Sequence, residues 1–245
     1  MNKNRFFINN FDLKNGTTEI KDPDVIHQAK NVLRLKEGDE IRVFNNHETE
    51  LYGKIKKMGN REITLSIEKI ENKKDEQEFV LELCFSLIKK DKIEYVIQKC
   101  TEIGVSEFSP IISERTEKTG YNLERFNKII KEAAEQSGRT KLPQINTPQN
   151  LREFLFQHET EKNIHPDVFY LNLNGSNLEL DNLKKTAKNS KCKKITFFIG
   201  PEGGWGNEDL KIFEEKGVKS ISLGKNTLRA ETASIAISAI ILLAH

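Results

Sequence analysis

Ile195-Thr196-Phe197-Phe198-Ile199-Gly200-Pro201-Glu202-Gly203-Gly204-Trp205-Gly206 reads as an apolar β-strand running into a glycine-rich loop. Strand 195–199 leads to Asn207, the expected N-cap of a helix with Glu208 and Asp209 in its first turn, and Gly217 closes that helix. Gly200, Gly203, Gly204 and Gly206 lack a Cβ and tolerate positive φ, so a ligand can approach main-chain N–H and C=O groups directly. A second strand, 218–223, ends in Gly224-Lys225-Asn226-Thr227-Leu228-Arg229, after which Ala230 to His245 reads as a small-residue apolar helix. In open parallel α/β sheets ligands sit beyond the carboxyl ends of the strands. The two loops are therefore expected to face one ligand.

Upstream, the same alternation continues. Phe79 to Ile88 reads as a strand, and Ile93, Val96, Ile97 and Cys100 recur at helical spacing until Gly104 stops the helix. Val105 to Ile112 is the next strand, Leu123 to Ser137 another helix closed by Gly138, and Asp167 to Leu173 is strand-like again. This order predicts an α/β fold with a parallel sheet and helices on both faces. The first seventy residues differ. Arg5 to Ile8, Glu40 to Phe44, Leu51 to Met58 and Glu62 to Ile70 read as short strands, with a helix from Asp22 or Asp24 to about Leu33, which suggests a small β-barrel. The charge run Glu71 to Glu78 is expected to be the linker, so the domains are placed at 1–72 and 73–245.

Composition and motifs exclude several classes. A net charge of +2 with 31% charged residues gives only a faint hint of an anionic partner. Cys84, Cys100 and Cys192 stand singly, without CxxC, and the N-terminus leads into no long apolar segment, so a reduced, cytoplasmic protein is expected. Ala233 to Ala244 is too short for the roughly 20 residues of a membrane span. The glycine spacing is not that of a dinucleotide fingerprint, and Gly224-Lys225-Asn226-Thr227 lacks the Ser/Thr and upstream glycine of a phosphate loop. The five histidines show no metal-ligand spacing with the cysteines, so no metal is expected, and no G-x-S-x-G elbow is present.

Phe198 to Gly204 together with Leu223 to Ala233 resembles the paired C-terminal motifs of SPOUT-class RNA methyltransferases, and is most similar to the RsmE-type ribosomal RNA uridine N3-methyltransferase family. Asn31 to Asp39, Gln98 to Val105 and Glu132 to Arg139 agree in family order. The resemblance implies a PUA-like RNA-binding β-barrel at 1–72 and, at 73–245, a SPOUT domain whose end is tucked through a loop as a trefoil knot. It also implies a homodimer, S-adenosylmethionine as methyl donor, no metal, and N3 of one uridine in 16S ribosomal RNA, within the small subunit, as acceptor. By this similarity the donor lies on Phe198, Ile199, Gly200, Pro201, Glu202, Gly203 and Gly204 and on Ser222, Leu223, Gly224, Asn226, Thr227 and Leu228. Lys225-Asn226-Thr227 departs from the Pro-Arg-Ile type of triplet in relatives; a donor held by main chain should tolerate this. A SPOUT methyltransferase acting on tRNA or another RNA, or a non-catalytic ribosome-assembly factor, would carry similar loops.

Uridine N3–H is a weak acid, so the site must take its proton or stabilise the developing anion. Arg229 and Glu231 follow the second loop, and either hold the base or form a structural ion pair. Glu202 either accepts from a ligand amine or caps backbone N–H groups. Arg139, after the helix that Gly138 ends, either reaches the substrate or is simply solvated. Arg229, Glu231 and Arg139 are the catalytic candidates. Arg5, Arg34 and Lys36 are the RNA-binding candidates of the N-terminal domain. Tyr52, Lys54 and Lys56 share one strand face, either for RNA or as solvated surface, and Trp205 either covers a ligand or anchors packing.

Overall fold

A two-residue turn at Asn15-Gly16 leads into the strand that begins at Thr17. Both residues take positive φ (50° and 73°), and Lys14 and Thr17 exchange backbone hydrogen bonds across them, as a type I′ turn requires. The structure is a computed structural model and describes residues 4–73, 77–116, 121–157, 167–177 and 193–243. Residues 74–76 of the expected linker, Cys192 and three of the five histidines (His158, His165 and His245) lie outside them.

Two compact units form: residues 1–76 with 131–142, and residues 77–130 with 143–245. In the first, strands β1 (Arg5–Phe7), β2 (Thr17–Ile20), β3 (Glu40–Phe44), β4 (Thr49–Met58) and β5 (Ile63–Asn72) lie in the order β1-β3-β4-β5-β2. Only β1 and β3 pair in parallel. Helix α1 (Pro23–His27) starts on Asp22, whose Oδ1 accepts from Asp24 N and Val25 N. It then widens into a π-turn over Gln28–Val32, so the single helix expected to Leu33 is two geometries in series. Phe6, Ile20, Val25, Ile41, Leu51 and Leu65 fill the barrel.

The second unit holds β6 (Val80–Ser86), α2 (Lys90–Ile103), β7 (Glu107–Ile112), α3 (Leu123–Ser137), β8 (Gln144–Ile145), β9 (Gln149–Asn150), α4 (Leu151–Gln157), β10 (Val168–Asn177), β11 (Lys194–Ile199), α5 (Asn207–Glu215), β12 (Lys219–Ser222) and α6 (Ala230–Leu243). Helix α3 passes from this unit to the first at Lys131. The strands pair in parallel throughout, in the order β12-β10-β11-β6-β7-β8, with β9 also on β7. Cys84 and Phe198 face α4 and α5, where Phe154 and Phe213 meet the Phe198 ring edge-on at 5.6 and 5.4 Å. Helix α2 packs on α6, where the Ser238 hydroxyl donates to Cys100 Sγ. The α/β fold with helices on both sheet faces is therefore as the alternation predicts. Burial makes both described thiols inert: it pushes the Cys100 thiol up to about 12 and that of Cys84 well above its usual value.

Inside the sheet sits a polar ladder. Glu82, buried, accepts from Ser109 Oγ (2.7 Å) and Thr196 Oγ1 (2.9 Å) on the flanking strands and pairs with Lys194 at 3.0 Å. Three strands are pinned in register by one carboxylate whose hydrogen bonds offset its desolvation.

Candidate active site

The cleft opens at the carboxyl ends of three strands. Parallel pairing of β10 with β12 runs from Phe169 to Leu171, then skips so that Ser176 also lies opposite Ile221. The bulged residues Asn172 to Asn174 swing out as a wall, and Gly175 is pressed on the Ile221 backbone. After β11, Pro201 O accepts from Gly204 N at 2.9 Å, closing a tight turn in which Gly204 has φ 69°. After β12, Gly224 takes φ 129°, with its N–H donating to the Ser222 hydroxyl and its carbonyl accepting from it. Together these segments line a cleft of about 800 Å³.

Side chains from outside the loops fix them. Arg115 Nη1 donates to Gly203 O at 2.8 Å, Glu114 Oε2 accepts from Glu208 N, and the Asp209 carboxylate accepts from Gly206 N and Glu114 N. Gly206, not Asn207, is thus the N-cap of α5, because Asp209 reaches back to its N–H. Trp205 is an anchor and a wall at once. Its indole N–H donates to Leu171 O (2.9 Å), its ring meets Phe213 edge-on at 4.9 Å, and its other side borders the cleft against Gly200.

A family model described as "RNA methyltransferase domain" matches residues 75–242, and one described as "RNA methyltransferase PUA domain" matches residues 20–68. The chain belongs to this RNA methyltransferase family. The methyltransferase is 33% identical over 236 residues to the ribosomal RNA small subunit methyltransferase E of Rickettsia conorii, covering 96% of this chain and 93% of that one. It is 32% identical to the protein of the same name from Mesomycoplasma hyopneumoniae, covering 94% and 95%. The crystal structure of ribosomal RNA small subunit methyltransferase E from Neisseria gonorrhoeae bound to S-adenosyl methionine superposes with a TM-score of 0.80 at 26% identity, covering 96% of this chain and 95% of that one.

In the methyltransferase, twelve of the thirteen residues expected to hold the donor line the cleft: Ile199 to Gly204, Ser222 to Gly224 and Asn226 to Leu228. Phe198 does not. It faces the opposite way by the strand's period of two and is fully buried between α4 and α5. Asn172, Leu173 and Asn174 were missed, because the bulge that brings them in is a register event without a composition signal. Arg229 lines the cleft, whereas Glu231, in the first turn of α6, is not among the lining residues and has its Oε2 buried with no hydrogen bond among the described residues. That oxygen is therefore not tied to Arg229. Glu202 pairs with Lys92 of α2, a cleft residue that no loop motif announces. Their mutual hydrogen bond lowers the Glu202 carboxyl and raises the Lys92 ammonium.

Arg139 lies in the other unit and is not on the cleft wall; its carbonyl accepts from Arg5 Nη2 at 2.6 Å. Arg5 itself is a correction. Only 4% exposed, it donates Nε to Glu50 (2.9 Å) and Nη1 to Ala134 O (2.9 Å), and its guanidinium lies 3.5 Å from the Phe44 ring centroid. A buried cation with its donors engaged this way binds the protein's own helix end, not phosphate. Arg34, at φ 55°, and Lys36 are exposed on the turn after the π-segment. Tyr52 and Lys54 are taken up within their sheet, Tyr52 by Glu71 (2.7 Å) under Arg42, and Lys54 by Glu68 (2.9 Å). Among the described residues no group of three or more metal-ligating side chains converges.

Proposed function

We propose that this chain transfers a methyl group from S-adenosylmethionine to N3 of a uridine in the 16S ribosomal RNA of the small subunit, working as a cytoplasmic homodimer. The observation that carries the donor assignment is the cleft itself. Two glycine turns expose main chain at Gly200, Gly203 and Gly204 after β11 and at Gly224 after β12, and Leu171, Leu173, Leu223 and Leu228 give an apolar slot of the kind an adenine ring needs. When bound there, the donor supplies a sulfonium methyl carbon open to in-line displacement, a reaction in which positioning provides much of the rate. Arg229 on the cleft wall supplies fixed positive charge for the uracil anion. Arg139 is assigned a substrate contact, and Arg34 and Lys36, exposed on the PUA-matching unit, are assigned the RNA backbone.

The names of the relatives support the ribosomal small subunit as substrate. A dimer is supported by α6, which is apolar nearly all round yet leaves Leu243 54% exposed and Ile235, Ala239 and Ile240 only half-buried. A helix of this kind calls for cover on more than one side. The close approach of Gly175 to Ile221, with the 223–229 loop then leading into α6, supports a threaded carboxyl end.

The test is reverse transcription across 16S RNA from particles lacking the modification, after incubation with the protein and donor. N3-methylation blocks the pairing edge, so a donor-dependent stop at one uridine is expected. Methylation of tRNA instead would reassign the substrate. Absence of any product with donor bound would leave a binding protein only.

A further inference from the structure

The cleft has an apolar end and a charged one. Leu171 and Leu173 on β10 and Leu223 and Leu228 after β12 form the apolar slot. Glu202 follows β11, and Lys92 stands in the first turn of α2, which follows β6; both line the cleft. In the strand order β12-β10-β11-β6 these are adjacent pairs of strands. Neighbouring strands lie about 4.8 Å apart, so the two ends are two spacings, about 10 Å, from each other. Lys92 Nζ donates to Glu202 Oε1 across 110 positions of chain. That contact uses one of the three donors of the ammonium and one of the two carboxylate oxygens, and neither side chain makes another hydrogen bond or ion pair among the described residues. With side chains 21% and 42% exposed, both are reachable from the cleft.

We propose that Lys92 and Glu202 receive the amino-acid tail of the methyl donor, Lys92 its carboxylate and Glu202 its ammonium. The proposal rests on the donor reading of the cleft and is independent of the uridine-N3 reading. S-adenosylmethionine has adenine at one end, the ribose and sulfonium in the middle, and an α-amino acid, a zwitterion at neutral pH, at the other. With adenine in the leucine slot, the tail points to the charged end. An ion pair offers a zwitterion the reverse pattern, so each charge of the tail meets its opposite in a charge-assisted hydrogen bond. A lone cation attracts any anion and a lone carboxylate any amine, whereas the pair selects a ligand that carries both. Glu202 accepts from no backbone N–H among the described residues, so capping is not its task. The mutual hydrogen bond lowers the Glu202 carboxyl and raises the Lys92 ammonium, which keeps both ionised around neutral pH.

The experiment is calorimetry on the full-length chain, as wild type, K92M, K92R and E202Q, with three probes. S-adenosylhomocysteine carries the whole tail, decarboxylated S-adenosylmethionine keeps only its ammonium, and 5′-methylthioadenosine has neither charge. Wild type should bind S-adenosylhomocysteine about 100-fold more tightly than methylthioadenosine, from two charge-assisted contacts of about tenfold each in a partly exposed setting. K92M should lose about tenfold for S-adenosylhomocysteine and nothing for the decarboxylated probe, and K92R should return to within about threefold of wild type. E202Q should lose about tenfold for both probes that carry the ammonium. Methylthioadenosine affinity should stay within about threefold in every variant, which also shows the cleft to be intact. A pair that only straps α2 to the loop would weaken all three probes alike. That result, unchanged S-adenosylhomocysteine affinity in K92M or E202Q, or an equal loss of the decarboxylated probe in K92M would each overturn the assignment. If wild type binds none of the three, the donor reading has failed and this proposal falls with it; absence of 3-methyluridine with these affinities intact would overturn the substrate reading alone.

Discussion

Gly203 marks the point where a single atom separates a binding loop from an ordinary turn. A Cβ built there meets only the Arg115 side chain, at 3.6 and 3.8 Å, which is ordinary contact, and the residue's φ is not in the left-handed region. Gly203→Val is therefore expected to fold, with a melting temperature within a few degrees of wild type, while its isopropyl group fills the space the donor needs. Calorimetry should show donor affinity reduced by at least 100-fold; unchanged affinity would take this loop out of the site. Glu50 shows the opposite dependence, on charge. Its burial would raise its pKa, but hydrogen bonds from Lys73 and Arg5 outweigh that and hold it below the usual 4.5. A lowered folded pKa contributes stability above the unfolded value and loses it as pH falls through the folded one. Glu50→Gln should thus cost about 3 kcal/mol at pH 7, as for a buried pair losing one partner, and the deficit should shrink progressively below pH about 4.5 in denaturation series. Glu135, raised chiefly by burial, shifts stability the other way, so wild type and variant must be compared at each pH.

At the scale of elements, the decisive feature is a mismatch in pairing between β10 and β12. Residues 172–175 have no partner in the register, and the chain makes room for the crossing only because Gly175 has no side chain: a Cβ there would stand 2.5–2.8 Å from Ile221 backbone atoms. Gly175→Ala should destabilise the protein by about 1–3 kcal/mol, the usual scale of overpacking against atoms that cannot rotate away. Denaturant melts check this, and loss of donor affinity in the same variant would show that the wall and the sheet move together. The helices tell a simpler story. α2 and α3 were legible because their apolar residues recur at helical spacing and Gly104 and Gly138, at φ 122° and 85°, end them. β2, β8, β9 and α4 were not foreseen: three are strands of two to four residues and the other a seven-residue helix, too short for periodicity to register, although Asn15-Gly16 does announce the turn before β2.

For the whole molecule, the unfinished surface is α6. The exposed Leu243 and half-buried Ile235 and Ile240 are expected to be covered by a second copy, so light scattering should give twice the 28.2 kDa chain mass, and Ile235→Glu should give the single-chain mass with the melting transition retained. A monomer at micromolar concentration would refute the dimer. Two parts of this protein were settled by its sequence: the alternation of strands and helices, and the two glycine loops that end β11 and β12. Both are local, since periodicity, capping and positive φ act over a few residues. Only the tertiary structure decided the rest. It buried Arg5, an RNA-binding candidate by sequence, turned Phe198 into the core, and brought Lys92 to Glu202 across 110 positions. It also set Glu82 as the shared acceptor for the two strands that flank its own. These depend on which faces meet and in what register, and such choices are made by desolvation and pairing between segments far apart in the chain, for which no short stretch of sequence carries a mark.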